Sequence, residues 1–201
     1  MKEVRPATVD EMIVAFLRAD IETIDPDRRE LYAKVLAALG ADRATLIHRG
    51  DIHDPQQNDA RRFVLGVRGY GQKIALFRDF PEDTGWHLFK VTPDEVKGFK
   101  YANRLENWAR VSGYTRLVAD GVKNLNQGGN EKIKGNVTGI ANRLRQGERF
   151  PPLIAVQQTG IADVVLMEGH NRATAYALTD WPDEIEVIIG TSAHMGDWLF
   201  F

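Results

Sequence analysis

The residues best suited to chemistry form one short run, Glu168-Gly169-His170-Asn171-Arg172. Strand-forming apolar residues precede this run and helix-forming residues follow it, so it predicts a glycine turn between a strand and a helix. A glycine lets the backbone approach a ligand closely, and the free N–H groups of a helix start attract anions. Arg172, in the first helical turn, can add a bidentate charge-assisted contact to phosphate. The run therefore predicts a phosphate-sized anion site.

The last third of the chain supplies the elements that must position this turn. Apolar residues recur there either in short β-rich runs or at helical spacing, and Gly147 and the Pro151-Pro152 pair separate a helix from a strand. The predicted elements are helix 133–144, strand 153–156, strand 164–167, helix 173–178 and strand 184–190. This order predicts an α/β (α+β) domain with a mixed sheet.

The middle of the chain continues this mixture of strands and helices. Residues 86–91 predict a strand, and Thr92-Pro93-Asp94-Glu95 predicts a helix start at which Thr92 caps and Glu95 reaches back to it. Two more helices are predicted, over 102–111 and 117–125. The glycine- and asparagine-rich stretch 124–136 interrupts the pattern and is a candidate mobile loop.

The N-terminal part predicts two helices with well-marked ends. Thr8 and Glu11 form a capping-box pattern before an apolar helical stripe. Asp25-Pro26 predicts the start of a second helix, which Gly40 ends. Its expected buried stripe is Leu31, Val35, Leu36 and Leu39.

The residues after these helices predict strands. Residues 43–59 predict a brief strand and then an exposed loop, and the runs 63–68 and 74–77 predict a β-hairpin about Gly69-Tyr70-Gly71. We expect a helical and β-hairpin segment, 1–84, packed on a core domain, 85–201. The connections are too short to act as flexible linkers between independent domains.

The composition of the 201-residue chain excludes several classes of function. It has no cysteine, which excludes thiol catalysis, thiolate metal sites and disulfides. Its net charge of −2 argues against non-specific DNA coating as the main role. Neither a signal peptide nor a run of apolar residues long enough for a membrane span is present in the sequence. We therefore expect a cytoplasmic protein with no membrane partner.

The last third resembles the ParB/sulfiredoxin-like superfamily. The resemblance covers roughly residues 130–190 and rests on the order of a helix, Gly147, Pro151-Pro152 before a strand, a second strand, and Gly169-His170-Asn171-Arg172 at a helix start. It implies the fold of that superfamily for residues 85–201. Sulfiredoxins carry a catalytic cysteine where His170 stands, so their chemistry is excluded. ParB-type partition proteins continue into a helix-turn-helix domain, whereas few residues follow here, so centromere binding is not expected.

The turn is most similar to a branch that reads acidic-Gly-His-x-Arg. That branch includes ATP- or ADP-dependent kinases of free serine and plasmid-borne ATPase or nuclease relatives. By this resemblance Gly169 and Arg172 hold nucleotide phosphate, His170 contacts the phosphate being transferred, and Glu168 faces the acceptor. The resemblance also implies Mg²⁺ and a glutamate base near the start of the fold, and Glu95 or Asp94 lies in about that region.

Other residues extend or compete with this assignment. Asn171 and Thr174 join the candidate nucleotide contacts, and Ser112, Thr115 and Arg116 could close over a phosphate, although capping and turn formation explain them equally well. Glu95 has an alternative role as the capping-box residue behind Thr92. His170 could be structural, although its place after a glycine in the first helical turn predicts exposure. Glu168 has an alternative role in favouring the helix dipole.

Three further sets of residues carry weaker expectations. His48, Asp51, His53 and Asp54 are metal-ligand types at a spacing that matches no helical pair, so we predict no metal site. Basic residues at 132–149 could form a nucleic-acid strip, but a solvated surface is the usual explanation. They are Lys132, Lys134, Arg143, Arg145 and Arg149. The tryptophans at 108, 181 and 198 are expected in the core or at an interface.

These observations predict a protein that binds ATP or ADP and either hydrolyses it or transfers phosphate to a small-molecule hydroxyl. Glu168, His170 and Glu95 are the candidate catalytic residues. The alternatives are a DNA-binding regulator or nuclease, for which DNA is the less favoured partner, and a non-catalytic scaffold that keeps the fold.

Overall fold

A mixed five-stranded sheet forms the centre of the molecule. The computed structural model describes residues 1–21, 25–127 and 130–201. The strands are β1 (Lys2–Ala7), β2 (Gly85–Val91), β3 (Leu153–Gln158), β4 (Val164–Glu168) and β5 (Ile185–Ser192), in the order β1-β2-β5-β3-β4. Only β3 and β5 pair in parallel, and the other neighbours are antiparallel. The expected α/β class with a mixed sheet is confirmed.

In the part of the chain that the structure describes, the helices lie in groups between the strands: three follow β1, four follow β2, and one follows β4. They are α1 (Val9–Asp20), α2 (Pro26–Ala38), α3 (Pro55–Leu65), α4 (Pro93–Lys97), α5 (Glu106–Val111), α6 (Val118–Asn124), α7 (Glu131–Arg145) and α8 (His170–Thr179). Short helical turns lie at Ala44–His48, Gly66–Arg68, Ala75–Phe77 and Met195–Asp197. No helix of the described ranges is long and apolar enough to cross a membrane.

The sheet separates two apolar layers. Alternate residues of β3 point to opposite faces, so that Ile154 and Val156 join one buried cluster while Leu153 and Ala155 join the other. The first cluster contains α1 and much of the segment up to Trp86, together with the C-terminal Trp198. The second contains residues of α4 to α8. The molecule is therefore a three-layer arrangement with helices on both faces of the sheet.

The start and end signals of several helices are confirmed. Thr8 and Glu11 form a complete capping box at α1, and Thr92 and Glu95 form another at α4. Asp25 caps α2, whose first residue is Pro26. The strands and helices predicted between 133 and 190 are also present, with small differences at their ends.

The predicted hairpin and the strand before it are wrong. Residues 63–65 end α3, which Asp54 caps and Pro55 begins, and 66–68 and 75–77 are single helical turns. The strand expected after residue 43 is a π-helical turn. The cap at Asp54 starts a helix before the β-formers begin, and the burial of Val64 and Leu65 against the first cluster favours that helix over local strand propensity.

Two other features of the N-terminal part differ from expectation. In α2, Tyr32 and Leu36 are buried whereas Leu31 and Leu39 are exposed, so the buried stripe is shifted. Strand β1 was not predicted, because it is an edge strand with exposed residues and no apolar alternation. It pairs with β2, so the 1–84 segment contributes a strand to the sheet. The division at residue 84 stays a prediction, and Gly128 and Gly129 of the candidate mobile loop lie outside the described residues.

Candidate functional site

The Gly169 turn, residues 168–172, lies at one edge of the sheet. Strand β4 ends beside the start of β3 because the two strands are antiparallel, and Gly169 then begins α8 with a left-handed φ of 97°. A Cβ at Gly169 would lie 2.5 Å from Leu153 Cδ2 and 3.0 Å from Arg172 Nη2. The turn thus requires glycine both for its backbone conformation and for the close approach of its neighbours. No side chain of the described residues caps α8.

Both terminal nitrogens of the Arg172 guanidinium form hydrogen bonds inside the protein. Its Nη1 donates to the carbonyl oxygens of Pro151 and Pro152, the latter at 3.2 Å, and its Nη2 donates to Glu168. The side chain is only 7% exposed. Arg172 therefore ties the proline segment before β3 to the turn after β4, a structural role that sequence analysis did not foresee.

Glu168 is a largely buried carboxylate paired with this arginine. Burial raises the pKa of Glu168, the positive charge of Arg172 opposes that rise, and the negative charge of Asp20 adds to it. A carboxyl group with a raised pKa is better suited to exchange protons near neutral pH than an ordinary glutamate.

His170 packs against aromatic rings and is not the exposed histidine that its position predicted. Its ring lies 6.0 Å from Tyr101 and 5.7 Å from Trp108, and its Nε2 accepts a hydrogen bond from the Ala102 N–H at 3.3 Å. Burial, with the positive charges of Arg68 and Arg172, lowers the pKa of His170 to about 3. The imidazole is therefore neutral at physiological pH and carries its proton on Nδ1.

Arg116 and His170 both form hydrogen bonds with the peptide group between Tyr101 and Ala102. Arg116 Nε donates to the Tyr101 carbonyl at 2.8 Å, while the N–H of the following residue, Ala102, donates to His170. Arg116 has a left-handed φ of 65°, and its Nη2 is buried without a hydrogen-bond partner among the described residues. Burial lowers the pKa of Arg116. The structure thus brings the predicted contact Arg116 close to the turn.

The other residues predicted to contact nucleotide are Thr174, Ser112, Thr115 and Asn171. The first three form hydrogen bonds within the protein, and Asn171 has a buried polar atom without a partner among the described residues. Thr174 Oγ1 donates to the His170 carbonyl at 2.8 Å and lies 2.8 Å from the Tyr101 hydroxyl. Ser112 Oγ accepts from the Arg116 N–H, and Thr115 Oγ1 donates to the Ser112 carbonyl. Asn171 Oδ1 is buried and accepts no hydrogen bond from the described residues.

Glu95 lies away from the turn. It completes the capping box of α4. Two residues later, Lys97 pairs with Asp180 at 2.7 Å, and Asp180 caps the C-terminal end of α8. A ten-residue helix is about 15 Å long, so the Lys97 end of α4 lies roughly that far from the Gly169 turn.

A second charged group, the Asp20 cluster, was missed by sequence analysis and consists of Asp20, Arg28, Tyr32 and Arg68. The buried Asp20 carboxylate accepts from the Tyr32 hydroxyl at 2.6 Å and from Arg28 Nη1 at 3.0 Å, and Arg68 Nε lies 3.5 Å away. Burial and the charge of Asp20 raise the pKa of Tyr32, which keeps its hydroxyl protonated as a donor. The sequence held one signal, because Asp20 lies on the apolar stripe of α1, three residues after Leu17.

The other sequence candidates are placed as follows. Asp54 caps α3 and Asp51 accepts from the His53 N–H, and the described residues contain no group of three metal-ligand side chains. Arg143 pairs with Glu148. Trp108 and Trp198 are buried, whereas Trp181 is 49% exposed and lines a groove of about 810 Å³ together with Phe150 and Tyr176.

Comparisons with known proteins assign no family and no function to the chain. No family model, no curated protein and no solved structure matches the chain. The resemblance to the ParB/sulfiredoxin-like superfamily therefore stays a prediction.

Proposed function

We propose that the protein binds ATP or ADP at the Gly169 turn and hydrolyses it or transfers phosphate to a small-molecule hydroxyl. One observation carries the proposal. Helix α8 begins directly after a strand, at a left-handed glycine, and no described side chain caps its first N–H groups. Such a helix start combines free donors with the positive end of the helix dipole and is a common phosphate site.

The charges around the turn favour an anion. Arg172 is balanced by Glu168, whereas Asp20 is shared by Arg28 and Arg68. Arg28 also pairs with Asp25, so three arginines face three carboxylates, and the raised pKa of Glu168 lowers the negative charge of this group. A phosphate would balance the remaining positive charge.

The side chains at the turn suit phosphoryl transfer, which depends more on positioning and charge neutralisation than on covalent catalysis. Neutral His170 can offer one ring N–H to a phosphate oxygen, and Glu168, while one of its oxygens is held by Arg172, can accept a proton on the other from an attacking hydroxyl or water. Mg²⁺ would bind mainly through the nucleotide phosphates, since Glu168 and Asp20 already pair with arginines. The distant Glu95 is a weaker candidate for the base.

The proposal is tested by calorimetric titration of the pure protein with ATP and ADP, with and without Mg²⁺, together with a phosphate-release assay. Gly169→Ala should abolish binding, because a Cβ there fills the space beside Leu153 and Arg172. Arg145→Gln on the exposed surface of α7 is the control and should bind as the wild type does. Absence of nucleotide binding by the folded wild-type protein would refute the proposal.

The two alternatives stay predictions. For DNA binding, the pairing of Arg143 with Glu148 neutralises one of the five basic residues of the candidate strip. A mobility-shift assay over a range of salt concentrations tests this alternative, since phosphate contacts weaken steeply as salt rises. A scaffold role would show as nucleotide binding without phosphate release.

A further inference from the structure

We propose that Arg68, supplied by the segment before β2, is the arginine that contacts bound phosphate, whereas Arg172 holds the turn in shape. This inference rests on the proposed function and names the residue that recognises its anion. In this assignment the anion site is formed by residues of two regions, the N-terminal segment and the turn between β4 and α8.

The first reason is that Arg172 has little left to offer a ligand. Its Nη1 serves two carbonyl groups, of Pro151 and Pro152, and its Nη2 serves Glu168. Releasing it would leave a largely buried carboxylate and two carbonyl oxygens without their donor. A direct phosphate contact from Arg172 would therefore disrupt the support of the turn.

The second reason is that Arg68 is incompletely bonded. Its Nε is buried and has no hydrogen-bond partner in the described part of the chain, since the 3.5 Å separation from Asp20 Oδ2 does not form a hydrogen bond. Its guanidinium lies over the Phe16 ring, 5.9 Å from the centroid. The side chain is 23% exposed, so a ligand from solvent can reach it.

The third reason is the position of Arg68 near His170. Phe16, which lies under Arg68, belongs to the same buried cluster as Ala102, and Ala102 donates its N–H to His170. The positive charge of Arg68 also contributes to the low pKa of His170. Both observations place the guanidinium on the side of the sheet that the first cluster covers, close enough for its charge to act on His170.

Asp20 allows Arg68 to change partner at small cost. When Arg68 turns to a phosphate, the Asp20 carboxylate keeps its hydrogen bonds from Tyr32 and Arg28. No buried charge is then left without a partner. The Asp20 cluster therefore holds Arg68 close to the site without binding it tightly.

The experiment compares wild type, Arg68→Ala, Arg68→Lys and the control Arg145→Gln by calorimetric titration with Mg-ADP and, separately, with inorganic tripolyphosphate. Arg68→Ala should weaken the binding of both ligands by roughly 10- to 100-fold, which is the effect of losing one charge-assisted hydrogen bond. Arg68→Lys should recover part of the loss, because it keeps the charge without the fork geometry. Circular dichroism spectra should show that all four proteins are folded.

The outcomes separate this inference from the proposed function. Equal affinities of wild type and Arg68→Ala for both ligands would overturn the role of Arg68 while the nucleotide proposal stands. Binding of tripolyphosphate through Arg68 without binding of Mg-ADP would support Arg68 and refute the nucleotide proposal. Binding of neither ligand by the wild type would overturn both.

Discussion

Arg172 and Arg68 carry the same guanidinium group but differ in what surrounds it. Arg172 is buried and donates to two carbonyls and a carboxylate, while Arg68 is partly exposed and keeps a buried Nε without an acceptor. The first arrangement uses both terminal nitrogens of the guanidinium and stabilises the fold. The second is incomplete and suits a residue that gains its partner from a ligand. Whether an arginine in a glycine turn can bind a ligand is therefore better inferred from its free hydrogen-bond donors than from its position in a motif.

The largest effect that would test this difference is on stability. Arg172→Ala leaves the Glu168 carboxylate buried without its cation, so we expect a loss of about 3–5 kcal/mol in the free energy of unfolding. Arg68→Ala should cost less than about 1 kcal/mol, since the pair with Asp20 is long and partly exposed. Urea unfolding measures both. Equal losses would remove the distinction between the two arginines.

The second effect is the pH dependence that comes from burial of His170, to which the charges of both arginines add. The folded-state pKa of His170 is lowered, to about 3, so its contribution to stability is present above its unfolded pKa of about 6.5 and is lost as pH falls. Between pH 6.5 and 4.5 the loss should approach about 2 kcal/mol. Glu168 acts in the opposite sense, because its raised pKa favours the protonated folded form at low pH.

A difference measurement isolates the histidine. Unfolding free energies of wild type and His170→Asn, followed over this pH range, should diverge, with the variant less sensitive to acid. Parallel curves would show that His170 is not held neutral. In Arg68→Ala the folded-state pKa of His170 should rise, because one of the cations that oppose protonation is removed, and the acid-dependent loss of stability should level off at a higher pH.

The smallest effect concerns the hydroxyl that holds Asp20. Tyr32→Phe removes one of its hydrogen bonds, and we expect a loss of about 1 kcal/mol in stability. Asp20 should then bind Arg68 more strongly, so tripolyphosphate affinity should fall as well. Unchanged affinity in a folded Tyr32→Phe protein would show that Asp20 does not compete with the anion for Arg68.

Local signals predicted much of this fold. The capping boxes at Thr8 and Thr92 and the Asp25-Pro26 start each depend on a few adjacent residues, and all three are confirmed. The predicted hairpin failed at residues 63–68, where the burial of Val64 and Leu65 in a helix outweighs their strand propensity. Edge strand β1 has exposed residues and so lacks the apolar alternation that marks a strand.

The candidate site was predictable only in part. The strand-glycine-helix turn is a contiguous pattern, and the structure contains it as expected. The partners of Arg172 and the Asp20 cluster depend on contacts between residues far apart in the chain, such as Arg68 with Asp20. A single sequence gives residue types for such contacts but not their distances, although a carboxylate on the apolar stripe of α1 indicates a buried partner.

A crystal structure of the full chain with ADP and Mg²⁺ tests the central claim most directly. We predict phosphate at the first turn of α8 in contact with Arg68, with Arg172 still bonded to Glu168 and Pro151. Nucleotide bound elsewhere, such as the Trp181 groove, would contradict the proposed site. Phosphate held by a released Arg172, with Arg68 still beside Asp20, would contradict the roles assigned to the two arginines.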